Sequence, residues 1–179
     1  MNSQSFSLQP FHPDSTLPDV KITGNISRYS DTIAIDYELL GPLSKLLIPS
    51  PADMPARKNS LWEETCFEFF LGVRDSDQYW EFNLSPAGHW NVYRFKAYRK
   101  EMQEERIIAT LPYSIHTRSD ALLINLELNL DRIVPAEQPL NAAISAVIKG
   151  IDGKVTYWAL THSGPEADFH RRDSFIIEL

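Results

Sequence analysis

Acidic residues and a tryptophan stand close together in the segment LWEETCFEFFLGV, at positions 61–73. Glu63, Glu64 and Glu68 supply carboxylates, and Trp62 supplies a flat aromatic face. Carboxylates accept hydrogen bonds from hydroxyl groups, and an aromatic ring packs against the apolar face of a ligand. Calcium is a second use for such acids, but it takes about six to eight oxygen ligands, so loop carbonyls or water would have to complete the shell. The segment therefore predicts a site for a hydroxylated ligand, with a structural calcium ion as the open alternative.

The C-terminal segment THSGPEADFHRRD gathers a second set of polar side chains. His162, Glu166, Asp168 and His170 could serve as ligands of a transition-metal ion, although their spacing matches no compact metal motif. Glu63 and Glu64 are the further metal candidates, for the calcium ion considered above. Haem would need an axial His or Met, and none stands in a diagnostic pattern. We therefore expect no cofactor, and we keep a haem- or metal-binding redox module as an alternative.

Catalytic chemistry has no clear signature in this chain. Two carboxylates hydrolyse a glycosidic bond only at a defined separation, which a sequence does not give. No nucleophile elbow and no glycine-rich phosphate loop is present in the sequence. We therefore expect a protein that is not an enzyme, and we assign no catalytic residue.

Length, charge and cysteine content narrow the class of protein. The chain has 179 residues, a net charge of −7 and a single cysteine. This length suits one domain, residues 1–179, and the negative charge disfavours nucleic acid as a partner. The sequence lacks an apolar run long enough to span a membrane and begins with no recognisable signal peptide. Since one cysteine allows no internal disulfide, we expect a cytoplasmic protein.

The apolar residues of most segments recur with a period of two, which is typical of strands. The segment ALLINLELNL at 121–130 is the clearest example, and DTIAIDYELLG at 31–41 repeats the pattern after a short YSD turn. Helix signals are short and weak. We therefore predict an all-β antiparallel sandwich of the jelly-roll or immunoglobulin-like type, with about 9–11 strands and one or two short helical turns.

Alternation along three successive segments places polar side chains on one face of the predicted sheet. In the first segment Glu68 lies opposite Phe67 and Phe69, whose face is the core side. If the segments pair in sequence, the opposite face carries a shared set of polar side chains: Glu68, Glu81, Asn83, Asn91 and Tyr93. Such a face is suited to binding a small polar ligand.

The order of three motifs resembles that of the family 9 carbohydrate-binding modules and the wider DOMON-like superfamily. These motifs are LWEETCFEFFL, YWEFNLSPAGHWNVYRF and FHRRDSFIIEL, within roughly residues 61–179. The resemblance implies a β-sandwich that binds sugars, or haem in some DOMON relatives. Matched by position, the resemblance implies ligand-binding roles for the tryptophan and two acids at the start of the first motif, for one residue on each of the next two strands, and for an aromatic–His pair near the C-terminus. These residues are Trp62, Glu63, Glu64, Glu68, Asn83, Phe169 and His170.

The sugar-binding modules of that family hold a terminal sugar between two tryptophans, for which this chain offers Trp90 and Trp158. Tyr93 is a further candidate for ligand contact. The expected function is a non-catalytic module that binds a carbohydrate or similar small polar ligand by aromatic stacking and by hydrogen bonds to Glu and Asn. The alternative from another class is a protein-interaction or scaffold domain.

Overall fold

Two antiparallel sheets form the fold in the computed structural model, which describes residues 2–12 and 19–179. The first sheet contains β1 (Asn2–Ser7), β3 (Lys21–Tyr29), β4 (Thr32–Leu40), β9 (Tyr113–Thr117) and β10 (Ala121–Asn129), in the order β1-β3-β4-β10-β9. The second contains β2 (Gln9–Pro10), β5 (Cys66–Val73), β6 (Tyr79–Leu84), β7 (Trp90–Phe95), β8 (Gln103–Glu104), β11 (Leu140–Lys149) and β12 (Val155–Ala159). Its order is β2-β12-β11-β5-β6-β7-β8, and β13 (Ile177–Glu178) pairs with β11. The prediction of an all-β sandwich is confirmed.

The hairpin of β3 and β4 shows how the period of two becomes structure. Tyr29 pairs with Thr32, so that only Ser30 and Asp31 make the turn, and Ser30 takes the left-handed conformation with φ of 55°. Two-residue turns of this kind match the twist of the strands that they join. The alternate residues Ile33 and Ile35 then point into the core, where both are buried.

The three segments that carry the polar face pair in sequence, as predicted. β5 pairs with β6 and β6 pairs with β7, both antiparallel, which aligns Glu68 with Asn83 and Asn83 with Asn91. On the other side β5 pairs with β11, which places Ser145 opposite Glu68. Since paired residues share a face, the polar side chains of four strands lie together on the outer side of the second sheet.

The core lies between the two sheets and contains the aromatic residues of the opposite parity. Phe69 and Phe82 stack with ring centroids 4.3 Å apart, and Tyr37 crosses from the first sheet to donate a hydrogen bond of 2.8 Å to the backbone carbonyl of Glu68. Buried residues of both sheets belong to one continuous cluster. This packing fixes β5 and β6, and with them the side chains on their outer face.

The count of elements differs slightly from the prediction. Among the described residues there are thirteen strands, of which β2, β8 and β13 have two residues each, and such short pairings leave no periodic signal. Short 3-10 turns occur at Leu43–Lys45, Leu61–Glu63 and Arg172–Ser174, one more than the upper expectation. No helix in the described ranges has the length and apolar character needed to cross a bilayer.

Candidate functional site

An open pocket of about 360 Å³ lies on the outer face of the second sheet. This volume falls within the range of about 300–1,000 Å³ that is usual for small-molecule sites. Its base is formed by strand residues, and its walls come from the 3-10 turn at Leu61–Glu63, the loop after β7 and the C-terminal loop before β13. The pocket is therefore assembled from segments that are far apart in the sequence.

Two glutamates form the floor of the pocket. Glu68 of β5 and Glu81 of β6 are 3% and 4% exposed, and both line the cavity. Asn83 is fully buried beside them and donates a hydrogen bond of 2.8 Å to Glu81 Oε1. The local cause is strand alternation, because Glu81 and Asn83 are two residues apart and share a face with Glu68.

Burial and mutual repulsion disfavour ionisation of this pair. Desolvation, and then the neighbouring charge of Glu81, raise the pKa of Glu68 well above its ordinary value. Desolvation also raises the pKa of Glu81 to about 7, against the opposing hydrogen bond from Asn83. The protonated form of both carboxyl groups is therefore favoured relative to free glutamate, and a protonated carboxyl group both donates and accepts hydrogen bonds.

A hydrogen-bond network fixes one side of the pocket. His170 Nε2 lies 3.6 Å from Glu81 Oε2, and His170 Nδ1 lies 2.9 Å from the hydroxyl oxygen of Tyr79. Asp168 accepts a bond of 2.9 Å from Arg99 Nη2 and one of 3.1 Å from the backbone N–H of His170. Burial, reinforced by the charge of Arg99, lowers the pKa of His170 to about 4, so its imidazole is neutral at pH 7.

Aromatic side chains form much of the remaining wall. Trp62 is 38% exposed and Tyr157 is 42% exposed, and both line the cavity with Phe95 and Phe169. Tyr157 and Phe169 meet edge to face with centroids 6.1 Å apart, whereas Trp62 is supported by Tyr93 at 6.0 Å. Partly exposed rings beside buried carboxyl groups give the pocket both an apolar and a polar surface.

Some of the ligand residues predicted from the sequence line the pocket, and others lie beneath or beside it. Trp62, Glu68, Phe169 and His170 line the cavity. Asn83 and Tyr93 lie on the same face but are buried, and their side chains support the wall and floor through Glu81 and Trp62. Glu63 and Glu64 are exposed beside the 3-10 turn and do not line the cavity.

The two tryptophans expected to form a clamp are not in the pocket. Trp90 pairs with Leu84 and Trp158 pairs with Ala146, which places both on the inner face of the sheet. Each is only 6% exposed and belongs to the core cluster. The arrangement corrects the expectation that these rings face a ligand, because their strand parity turns them inward.

The cavity contains further residues that the sequence patterns did not single out as ligand contacts. Alternation places Glu81 on the polar face, although the motif resemblance gives it no ligand role. Tyr157 could have been found in the same way, because it has the parity opposite to buried Trp158. Arg99 and Met102 come from the turn after β7, where no period predicts their direction. Their contribution is visible only in the folded chain.

The candidate metal ligands are not gathered into a cluster. Within residues 2–12 and 19–179 there is no group of three or more His, Cys, Asp or Glu side chains that could hold a metal ion. His162 Nε2 contacts the backbone carbonyl of Gln9 at 2.9 Å. Calcium, haem and other metals remain untested predictions, for which elemental analysis and a visible absorption spectrum are the direct measurements.

Comparison with known proteins identifies solved structures that share this fold. No model of a protein family matches the sequence, and no curated protein matches it at a significant level. Solved structures do match. A Bacteroides uniformis protein, named as a proposed carbohydrate-binding protein, has 11% identity and a TM-score of 0.66, with 98% of this chain and 84% of that chain covered.

A family 9 carbohydrate-binding module of Caldicellulosiruptor kristjanssonii matches in two complexes, both at 10% identity and 92% coverage of this chain. The glucose complex gives a TM-score of 0.56 over 78% of that chain, and the cellotriose complex gives 0.55 over 76%. The chain has the fold of family 9 carbohydrate-binding modules. The resemblance drawn from the sequence motifs is thereby confirmed at the level of fold.

Proposed function

We propose that this protein is a non-catalytic carbohydrate-binding module and that the pocket over Glu68 and Glu81 is its sugar site. One observation carries the proposal: two partly exposed rings, Trp62 and Tyr157, stand beside a buried carboxyl pair in a cavity of about 360 Å³. The fold shared with modules solved in complex with glucose and cellotriose supports the same function.

The two surfaces of the pocket match the two surfaces of a pyranose ring. The C–H groups of a sugar ring form an apolar face, which packs against Trp62 and Tyr157. Its hydroxyl groups point outward at the ring edge, where the Glu68 and Glu81 carboxyl groups exchange hydrogen bonds with them. Arg99 offers additional donors at the rim. Asn83 and the His170 network hold the floor in place before the ligand arrives.

The remaining expectations accompany this proposal. The residues act by binding and not by chemistry, so we propose no catalytic role for the carboxyl pair. A cytoplasmic location, no bound cofactor and no nucleic-acid partner stay predictions from composition, as does the possibility of a protein partner.

Thermal unfolding across a panel of sugars tests the proposal. A ligand at 100 times its Kd stabilises the folded chain by about 2.7 kcal/mol. For a domain of this size that corresponds to a rise in Tm of about 5–11 °C. The panel should contain monosaccharides and short oligosaccharides, and at least one member should raise Tm in a concentration-dependent manner.

Variants locate the binding site. Trp62→Ala and Tyr157→Ala should each weaken binding of the active sugar about tenfold or more, which is about 1.4 kcal/mol or more. Tyr29→Ala is the matched control, because Tyr29 is 70% exposed and lies on β3 of the other sheet. A panel in which no carbohydrate shifts Tm contradicts the proposal, and equal losses in all three variants contradict this pocket as the site.

A further inference from the structure

The floor of the pocket has an excess of carboxyl groups over cations. No Lys or Arg in the described part of the chain forms an ion pair with Glu68 or Glu81. Arg99 lines the cavity, but its guanidinium is bound to Asp168 at 2.9 Å. His170 Nε2 lies 3.6 Å from Glu81 Oε2 but is neutral at pH 7 because its pKa is lowered to about 4. The charge of Arg99 opposes the rise in the pKa of Glu81 but does not prevent it.

Burial of acids without a cation disfavours their charged form, and a bound cation reverses that effect. An opposite charge within about 4–6 Å of a carboxyl group favours its ionisation. A ligand with a positive group at the floor therefore favours loss of protons from the pair and gains charge-assisted hydrogen bonds to the carboxylates. A neutral ligand provides no such compensation.

The walls favour a cation as well. The negative face of an aromatic ring attracts an ammonium group within about 6 Å of its centroid. Trp62, Tyr157, Phe95 and Phe169 surround the cavity, so a positive group on the floor lies among rings as well as carboxyl groups. The acidic floor and the aromatic walls are independent features of the structure, and both select the same charge.

We propose that the pocket prefers an amino sugar, with its ammonium group on Glu68 and Glu81 and its ring against Trp62 and Tyr157. This inference rests on the proposed carbohydrate-binding function and specifies its substrate class. The amine distinguishes the preferred ligand from an unmodified hexose, and acetylation of that amine removes the charge and the preference.

Isothermal titration calorimetry of the wild-type protein tests the inference with three matched sugars. D-Glucosamine should bind at least about tenfold more tightly than D-glucose and N-acetyl-D-glucosamine at pH 6. At this pH an ordinary amine, with a pKa of about 8, is fully protonated. Choline is the fourth probe, because it carries a cation without a sugar ring, and it should bind at least about tenfold more weakly than glucosamine.

Proton release gives a second readout. Titrations at pH 6 in two buffers of different ionisation enthalpy should show that glucosamine releases protons on binding and glucose does not. The other titratable groups that face the pair are Cys66, Tyr79, Tyr93, Arg99, Asp168 and His170. All six groups keep one protonation state at pH 6. The pKa values of Cys66, Tyr79, Tyr93 and Arg99 are raised, and those of Asp168 and His170 are lowered. Released protons therefore come from the glutamate pair.

Charge-removing variants complete the test. Glu68→Gln and Glu81→Gln keep side-chain shape and remove the acidic charge, so each should reduce the glucosamine-to-glucose affinity ratio about tenfold. Glu127→Gln is the control, since Glu127 is an exposed residue of β10 in the other sheet, and it should leave the ratio unchanged.

Failures of the two proposals are distinguishable. Binding of glucose or N-acetylglucosamine as tight as that of glucosamine overturns the preference for an amino sugar and leaves the carbohydrate-binding function standing. If choline binds as tightly as glucosamine, the pocket recognises the cation alone, and the inferred contribution of the sugar ring is wrong. Absence of binding by every sugar overturns both proposals.

Discussion

Replacing Glu81 with glutamine should stabilise the protein at neutral and alkaline pH. The side chain is 4% exposed, and burial raises its pKa to about 7 from an ordinary 4.5. In Glu81→Gln the amide oxygen can still accept the hydrogen bond from Asn83, so the substitution removes the titrating charge and retains the packing.

The magnitude follows from the two pKa values. A difference between 4.5 and about 7, at about 1.4 kcal/mol for each pKa unit, makes the ionised Glu81 about 3 kcal/mol less favourable in the folded protein. Because the folded-state pKa is raised, the folded protein binds the proton more tightly than the unfolded chain. The contribution of Glu81 to stability is therefore fully present below pH 4.5 and is lost as pH rises through about 7.

His170 acts in the opposite direction over an overlapping range. Its pKa is lowered from 6.5 to about 4, so its contribution to stability is present above pH 6.5 and is lost as pH falls through about 4. The two contributions have similar size and offset each other in the wild-type protein. The variant removes one of them, and its stability should rise by about 3 kcal/mol between pH 4 and 6.5.

Urea unfolding at half-unit intervals from about pH 4 to 8 measures this effect for the wild type, Glu81→Gln and the exposed control Glu127→Gln. The free energy of unfolding of Glu81→Gln should match that of the wild type near pH 4.5 and exceed it by about 3 kcal/mol at pH 8. The control should follow the wild type throughout. A Glu81→Gln protein that is equally or less stable than the wild type at pH 8 would refute the argument from buried charge.

Three further outcomes follow from side chains outside the pocket. Trp158→Ala should lower the free energy of unfolding by about 3–5 kcal/mol, because the ring is in the core and its N–H donates a hydrogen bond of 2.9 Å to Thr156 Oγ1. A loss below about 1 kcal/mol in urea unfolding would contradict the burial of this ring. Arg57→Met should lower the free energy of unfolding by about 2–4 kcal/mol in the same assay, since the guanidinium donates a 2.6 Å hydrogen bond to Asn91 Oδ1 and bonds to three backbone carbonyls. An unchanged midpoint would be the contrary result. Cys66 is fully buried with a raised pKa, so a thiol reagent should label it only as the chain unfolds, and labelling of the native protein within seconds would show the thiol to be accessible.

Strand parity explains what could be predicted from the sequence. Alternation alone puts Glu68 on the face opposite Phe67 and Phe69, and the observed register of β5 with β6 agrees with it. The same rule, applied to the segment VTYWAL, turns Tyr157 outward when Trp158 turns inward. Strand parity therefore directs Trp158 into the core and leaves Tyr157 available for contact with a ligand.

The rest of the pocket depends on loops, which carry no periodic signal. Arg99 stands in the turn after β7 and reaches Asp168 of the C-terminal loop across 69 residues of sequence. His170 reaches Tyr79 across 91 residues. Contacts of this separation arise from the path of the folded chain, so no local pattern indicates them.

Burial also determines properties that composition does not express. Strand alternation puts Glu68 and Glu81 on one face, but nothing in the sequence shows that both are buried. Only the position of Glu68 and Glu81 beneath a rim of aromatic rings makes them a candidate binding floor. The sequence therefore predicts the fold and the polar face of one sheet, whereas the pocket is visible only in the structure.

A tryptophan fluorescence titration tests the central claim, which is sugar binding in this pocket, most directly. Trp62 is 38% exposed, whereas Trp80, Trp90 and Trp158 are 3–6% exposed, so Trp62 is the indole that a ligand in the pocket can touch. A sugar that raises Tm should change the emission of the wild type in a saturable manner and leave that of Trp62→Phe unchanged. The same emission change in both proteins, or none in the wild type at saturation, would contradict binding at this site.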